Sequence, residues 1–181
     1  MIKFCILIFN LLFTGIIVAQ KKLPNPRINK NEMEIATFIL GDERLVFGGE
    51  FIYRFSLIKK LKIGAGVLYG ADYDLATSSA SLSSVSGYGA AFADIMAFTG
   101  HREKWSFGGQ LGHGLYHSKD LGYYKLKAGI YYSVSGNYRA IVSKKLLINT
   151  SLFIGYRNFH YMRGYPENNF GFWGLKAGIV F

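Results

Sequence analysis

Apolar and polar residues alternate one by one along most of the chain beyond residue 31. Successive side chains of a β-strand point to opposite faces, so a period of two predicts strands. No segment keeps a period of 3.6 residues, so almost no helix is expected there. Eight alternating segments, bounded by turn-like stretches, are predicted as strands: 32–40, 44–56, 60–70, 87–98, 105–117, 122–142, 145–158 and 170–181.

The segment 124–142 shows the alternation over the greatest length. Its even positions are mostly apolar: Tyr124, Leu126, Ala128, Ile130, Tyr132, Val134, Gly136, Tyr138, Ala140 and Val142. Its odd positions are mostly polar: Lys125, Lys127, Gly129, Tyr131, Ser133, Ser135, Asn137, Arg139 and Ile141. The same division recurs at 61–69 and 146–157. Each strand therefore has one apolar face and one polar face.

The connections between the strands also alternate in character. One set is short and basic: LIKK (57–60), TGHREK (99–104) and SKK (143–145). The other set contains the longer stretches 71–86 and 159–169 and the short SKDLG at 118–122. Short turns on one side and longer loops on the other are expected of an outer-membrane barrel.

Glycine and charge indicate which face points inward. Seven glycines share the polar face: Gly48, Gly64, Gly66, Gly129, Gly155, Gly174 and Gly178. A narrow barrel interior needs small residues beside long ones. A Lys or Arg facing lipid at mid-depth would cost roughly 2–4 kcal/mol, which also favours an inward polar face.

The polar face is therefore predicted to line the lumen, with its charges forming an ion-pair network in place of an open solute pore. The basic residues expected in this network are Arg54, Lys62, Lys125, Lys127, Arg139, Arg157 and Lys176. Glu50 is a candidate acidic partner, and so are Glu32 and Glu34 in one register.

The first 19 residues have the pattern of a secretory signal peptide. A short basic start, MIK, precedes an apolar run at 4–18, and Ala19 precedes Gln20 at a plausible cleavage site. About 15 apolar residues are short for a spanning helix, which needs about 20. Cys5, the only cysteine, lies in this segment, so the mature chain is expected to have no thiol, disulfide or cysteine metal site. A polar lead, 20–31, separates the signal peptide from the barrel, 32–181.

The final run, GFWGLKAGIVF, places apolar residues at alternate positions and ends on an aromatic: Trp173, Leu175, Ala177, Ile179 and Phe181. It resembles the last strand of the small eight-stranded outer-membrane β-barrels of Gram-negative bacteria, of the OmpX type or the OmpA membrane domain. The resemblance is architectural and covers about 32–181. It implies an all-β, eight-stranded, antiparallel up-and-down transmembrane barrel in the cell outer membrane. It also implies a terminal signal read by the barrel assembly machinery.

The Ala19-Gln20 junction resembles those common in Bacteroidota.

The net charge of +10 does not indicate a nucleic-acid partner. The basic residues are scattered singly, and no nucleic-acid motif is present. The expected partners are outer-membrane lipid, lipopolysaccharide and the assembly machinery. The longer loops, 71–86 and 159–169, are expected to make surface contacts, and the sequence names no protein or ligand for them.

Candidate catalytic chemistry is confined to His117, Ser118 and Asp120. Lipid A deacylase barrels carry a His and a Ser two residues apart near the chain's end, whereas these two are adjacent. The ordinary polarity of a loop explains the segment better. His113 and His117 lie about 13 Å apart along a strand and would not share a metal. No cofactor is expected, and a role that is not enzymatic is favoured.

Two alternatives to a structural or surface role remain open at this stage. One is a barrel enzyme that acts on lipid A or phospholipid. The other is a soluble periplasmic lipocalin-like barrel that binds an apolar ligand inside.

Two polar residues interrupt the apolar alternation of their strands. Asp94 shares the parity of Tyr88, Phe92, Met96 and Phe98, and His113 that of Phe107, Leu111 and Leu115. A β-bulge that exchanges the faces is the favoured explanation. A subunit contact or a buried polar network is the alternative.

Overall fold

The computed structural model describes residues 31–41, 45–73, 86–99, 104–120, 123–143, 146–160 and 168–181. The predicted signal peptide and nearly all of the polar lead lie outside these residues. In the described ranges there is no helix long and apolar enough to cross a membrane.

Eight strands account for nearly all of the described residues. They are β1 (Asn31–Gly41), β2 (Leu45–Ile58), β3 (Leu61–Tyr73), β4 (Ser86–Thr99), β5 (Trp105–Asp120), β6 (Tyr123–Ile141), β7 (Leu147–His160) and β8 (Asn168–Val180). Each strand pairs antiparallel with its neighbours in the chain, and β1 pairs with β8 to close the barrel. The predicted fold class is confirmed. The alternation also located every strand boundary to within three residues.

The barrel closes through the last residue of the sequence. The Phe181 amide donates a hydrogen bond to the Met33 carbonyl at 2.9 Å, and the Met33 amide donates to the Phe181 carbonyl at 3.3 Å. The pairing continues along the strands from Glu34↔Val180 to Gly41↔Trp173. The final strand is therefore bonded on both edges, to β1 and to β7.

The two ends of the barrel differ in their connections. We call the end where β1 begins and β8 finishes the terminal end; the connections 59–60, 100–104 and 142–146 lie there. We call the opposite end the loop end; there the chain connects strands through 42–44, 74–85, 121–122 and 161–167. The two longest connections both belong to the loop end.

The apolar faces of the strands point outward. Large apolar side chains are exposed on every strand, among them Ile35, Phe51, Val67, Ile95, Leu111, Val134, Leu152 and Leu175. Charged and amide side chains are buried inside. This arrangement is the reverse of a lipocalin-like barrel, which would bury its apolar face around a ligand, so that alternative is wrong.

The β-bulge expected near Asp94 and His113 is also wrong. Both strands keep an unbroken register with their neighbours, through Gly64↔Asp94 and Ala91↔His113. The register shift in the described pairs falls elsewhere, between Ser56 and Ile58. Asp94 therefore lies inside the barrel together with the large side chains of its parity, and His113 lies outside.

Candidate functional site

The interior of the barrel is divided into two layers. The layer toward the loop end, which we call the aromatic layer, is a cluster of buried apolar side chains: Phe38, Leu40, Val46, Ile52, Leu68, Tyr88, Ala90, Phe92, Tyr131, Phe153 and Phe172. Tyr131 stacks on Phe172 with ring centroids 5.9 Å apart. It also contacts the rings of Tyr88 and Phe92 at 6.2 and 6.0 Å.

Glycines make room for these rings. A Cβ on Gly114 would lie 2.5 Å from the Tyr88 hydroxyl oxygen and 2.7 Å from its ring, and a Cβ on Gly174 would lie 2.5 Å from Phe153. Gly66 stands in the same relation to Phe92. At such distances a methyl group fits only if the ring or the neighbouring backbone shifts. The glycines of the inward face therefore leave space inside this narrow barrel for the rings of the aromatic layer.

The layer toward the terminal end, which we call the charged layer, contains four acidic and four basic buried side chains. Its members are Glu32, Glu34, Glu50, Asp94, Arg54, Lys62, Arg139 and Lys176. Their formal charges cancel. A buried charge is tolerated where it is paired and hydrogen-bonded, and contacts within the layer satisfy this requirement for each member.

Glu32 is held from two sides. Arg139 donates from Nη1 to Oε1 and from Nη2 to Oε2, both at 2.9 Å. Lys62 forms an ion pair with the same carboxylate. The two-pronged contact fixes the planes of both groups, which a single point contact does not.

Glu34 and Asp94 share Arg54. The Arg54 guanidinium reaches Glu34 through Nη1 and Asp94 through Nε. Asn149 donates to the remaining oxygen of Glu34 at 2.9 Å. Arg54, on β2, therefore joins β1 to β4 along one side of the barrel, with Gly64 of β3 lying between Arg54 and Asp94 in the register.

Gln110 joins the charged layer to the aromatic layer. Its amide nitrogen donates to Glu50 at 2.9 Å and to Asp94 at 3.3 Å. Its amide oxygen accepts from the Tyr131 hydroxyl at 2.7 Å. Lys176 reaches Glu50 from the opposite side at 3.0 Å. The two layers thus form one continuous set of contacts along the lumen.

The structure places seven of the ten residues named for the lumen network in the charged layer: Glu32, Glu34, Glu50, Arg54, Lys62, Arg139 and Lys176. The side chains of Lys125, Lys127 and Arg157 lie outside the described part of the chain. Gln110 was not predicted from the sequence. The sequence marks Asp94 as an interruption of the alternation, and the prediction drawn from it was a β-bulge. The better signal is its cross-strand neighbour Gly64, which is predicted on the inward face.

The catalytic candidates stay a prediction from the sequence. The backbone of β5 includes His117, Ser118 and Asp120, and their side chains lie outside the described residues. Within the described ranges, no group of three or more His, Cys, Asp and Glu side chains is arranged to hold a metal ion.

The residues of the predicted assembly signal form the outer face of β8. Trp173, Leu175, Ala177, Ile179 and Phe181 are all exposed on the exterior. Their common orientation leaves Lys176 and Phe172 to point into the lumen. This face is accessible to lipid or to another protein along the whole strand.

His113 is a polar residue on the apolar exterior. It lies between Leu111 and Leu115 on β5 and is exposed. Counted from Trp105 at the terminal end, it is about 20 Å along the barrel axis for a strand tilt of about 40°. The apolar band of such barrels is about 25 Å tall. His113 therefore lies toward the outer margin of the band, where a polar side chain costs least.

Known structures share this fold. No protein-family model matches the chain, and no curated protein matches its sequence. The crystal structure of Neisserial surface protein A is similar with a TM-score of 0.61 and 12% identity, over 83% of this chain and 94% of that one. A major outer membrane protein from Thermus thermophilus is similar with a TM-score of 0.55 and 12% identity, over 86% and 99%. The N-terminal β-barrel domain of Pseudomonas aeruginosa OprF gives 0.50 and 13%, over 84% and 98%.

These likenesses show the fold, which is that of the small eight-stranded outer-membrane β-barrels. An apolar exterior around a polar, filled interior is what a barrel in lipid requires. The fold and the exposed apolar face together give the protein an outer-membrane location.

Proposed function

We propose that this protein is a closed barrel that serves the outer membrane as a structural element and a platform for surface contacts, and does not conduct solutes. The observation that carries the proposal is the pair of stacked layers inside the lumen. An eight-stranded barrel has room for its own side chains or at most one small ligand. Here aromatic rings occupy one half and a neutral set of eight charges occupies the other.

The charged layer acts as a plug because its members are tied across the lumen. Arg54 lies between carboxylates of β1 and β4, and Arg139 extends from β6 to β1. A passing ion would have to separate a buried pair, and removing one partner of such a pair costs about 3–5 kcal/mol. The aromatic layer would then present a second barrier of packed rings.

The surface contacts are assigned to the loop end. A transmembrane strand needs about 9–11 residues, whereas β5 has 16 and β6 has 19. The β5–β6 hairpin therefore extends beyond the bilayer. Together with the connections 74–85 and 161–167, it would contact lipopolysaccharide or a protein at the cell surface. The outer face of β8 would be read by the barrel assembly machinery.

Conductance measurements test the closed lumen. The purified protein in a planar bilayer is expected to give no discrete channels in molar salt, and proteoliposomes are expected not to swell in small sugars. A matched variant, Arg54→Ala combined with Asp94→Ala, removes the ion pair between these two side chains while preserving the charge balance of the layer. Regular unitary conductance from the unaltered protein would refute the plug.

A loop exchange separates the two parts of the proposed role. Replacing 74–85 with a two-residue turn should leave the barrel folded, as shown by a mobility shift between unboiled and boiled samples on a gel. If the barrel alone supports the envelope, this variant restores detergent resistance to cells lacking the protein. If surface contacts carry the role, the variant folds and resistance does not return. Normal resistance in cells that lack the protein altogether would contradict both parts.

A further inference from the structure

The described charged side chains of the barrel fall into two groups, one buried and neutral overall and the other outside the lumen and positive. Eleven Asp, Glu, Lys and Arg side chains are described, and eight of them form the buried, neutral charged layer. The other three are all lysines: Lys59 and Lys60 are exposed, and Lys104 is half-buried. All three lie at the terminal end. In the described residues, the net charge outside the lumen is therefore positive and confined to one rim.

Two of these lysines, Lys60 and Lys104, are bonded to neighbouring strands through their backbones. The Lys60 carbonyl accepts a hydrogen bond from the Phe98 amide at 2.8 Å. The Lys104 carbonyl accepts one from the Arg139 amide at 2.7 Å. Lys60 precedes β3 and Lys104 precedes β5, so they flank the end of β4, roughly 10 Å apart at two strand spacings. The backbone positions of two of the rim's three lysines are therefore set by the strands beside them.

Exposed apolar side chains adjoin the lysines on the same rim. Leu57 and Ile58 precede Lys59 directly, and both are more than half exposed, at 57% and 63%. Trp105 follows Lys104 and is 60% exposed. A Trp beside a Lys is the arrangement found where a membrane protein crosses the headgroup level: the ring lies at the interface and the ammonium extends toward the headgroups.

We propose that this rim, formed by Lys59, Lys60 and Lys104 with Leu57, Ile58 and Trp105, binds anionic phospholipids of the leaflet at the terminal end of the barrel. The lysines would contact the phosphate-bearing headgroups, and the apolar side chains would contact the first part of the acyl chains. In outer-membrane barrels the short turns face the periplasm, so the lipids would belong to the periplasmic leaflet. The neighbouring apolar side chains favour a lipid over a soluble acidic polymer, because a polymer would leave them in water.

The two tryptophans of the chain provide a built-in test. Trp105 is at the terminal end, and Trp173, which pairs with Gly41, is toward the loop end. Trp173→Phe leaves Trp105 as the sole reporter, and Trp105→Phe leaves Trp173. Each variant is reconstituted in nanodiscs with a rising fraction of brominated phosphatidylglycerol or brominated phosphatidylcholine, and tryptophan quenching is measured.

Trp105 is expected to reach half-maximal quenching at a fraction of the brominated anionic lipid at least about fivefold lower than that of the zwitterionic one, because a single basic residue near an anionic surface already contributes a factor of about that size. Changing the three lysines to Gln should abolish the difference, and changing them to Arg should retain it. Molar salt should reduce it. Trp173 should respond equally to both lipids.

Two outcomes would overturn the proposal. One is equal quenching of Trp105 by both lipids, which would leave the lysines facing the aqueous periplasm. The other is an anionic preference that is the same at Trp173 and survives the Gln substitutions, because it would report only the overall positive charge. A mobility shift on boiling verifies that each variant is folded, so a misfolded barrel is not mistaken for a negative result.

Discussion

Arg139 and Glu32 face each other across the lumen and are joined by two parallel hydrogen bonds of 2.9 Å, although 107 residues separate them in the chain. Arg139 lies on β6 and Glu32 on β1, two strands that do not pair. The contact therefore bridges opposite walls of the barrel. Its stability depends on the whole barrel being closed.

Replacing Arg139 with Ala is expected to lower the free energy of unfolding by about 3–5 kcal/mol, because Glu32 loses its two-pronged partner while remaining buried. Urea unfolding in detergent micelles or lipid vesicles, followed by tryptophan fluorescence, measures the change. Lys59→Ala, at an exposed turn, is the control in zwitterionic detergent micelles, where the rim has no anionic lipid to bind, and should change stability by no more than about 0.5 kcal/mol. An equal effect of both substitutions would show that the ion pair contributes nothing.

Gly114 is expected to be intolerant of a methyl group. Gly114→Ala would place a Cβ against the Tyr88 hydroxyl and ring and should destabilise the barrel by about 1–3 kcal/mol. Gly136→Ala is the matched control, because a Cβ there has nothing within 4 Å. Adding Tyr88→Leu to Gly114→Ala should recover part of the loss. Equal stability of the two single variants would contradict the close packing of glycine against the ring.

The faces of β4 can be read with single cysteines, since Cys5 is the only native one and lies in the predicted signal peptide. Spin labels at 93, 95 and 97 should be accessible to oxygen dissolved in lipid. Labels at 92, 94 and 96 should be shielded from oxygen and from a water-soluble nickel reagent. Inversion of this pattern at 94 would restore the bulge that the continuous register excludes.

The last residue contributes through both its backbone and its ring. Ending the chain at Val180 removes the two hydrogen bonds with Met33 and should slow or weaken folding into vesicles in the absence of any other protein. Phe181→Ala keeps those bonds and should fold normally in vitro. The same substitution should reduce assembly in cells if the exterior ring is part of the recognition signal. Folding yields in vesicles and outer-membrane yields in cells separate the two effects.

The strands were predictable from the sequence because alternate side chains of a barrel strand face lipid and the lumen. Apolar and polar residues therefore recur with a period of two. The same logic failed on β4. Phe92 and Met96 are large and apolar, so their parity predicts a side that faces lipid, whereas both fill the lumen around Asp94. The missed signal lay on the neighbouring strands, where Gly66 and Gly112 face Phe92. Small residues on one strand indicate which side of the next strand carries the ring.

The partners within the charged layer were beyond reach of the sequence for a different reason. Alternation says that Glu32 and Arg139 point inward, but contact across the lumen depends on the stagger of strands that do not touch. Arg139 also has Met96 within reach, and its guanidinium lies 4.5 Å from the Phe98 ring centroid. Which neighbours surround a side chain is set by the barrel radius and tilt, and no local pattern records them.

The charged layer makes the burial of its charges depend on the closure of the whole barrel, because every strand contributes a contact to it. Carboxylates on β1 contact cations or amides on β2, β3, β6, β7 and β8, and Gln110 and Asp94 add β5 and β4. In a sheet that lacks one strand, or that closes out of register, at least one charged side chain would lose its partner. Inside the bilayer that charge would be exposed to hydrocarbon without compensation. Such intermediates would stay at the aqueous boundary, where water solvates the charge. Only the complete eight-stranded ring would be free to settle into the bilayer.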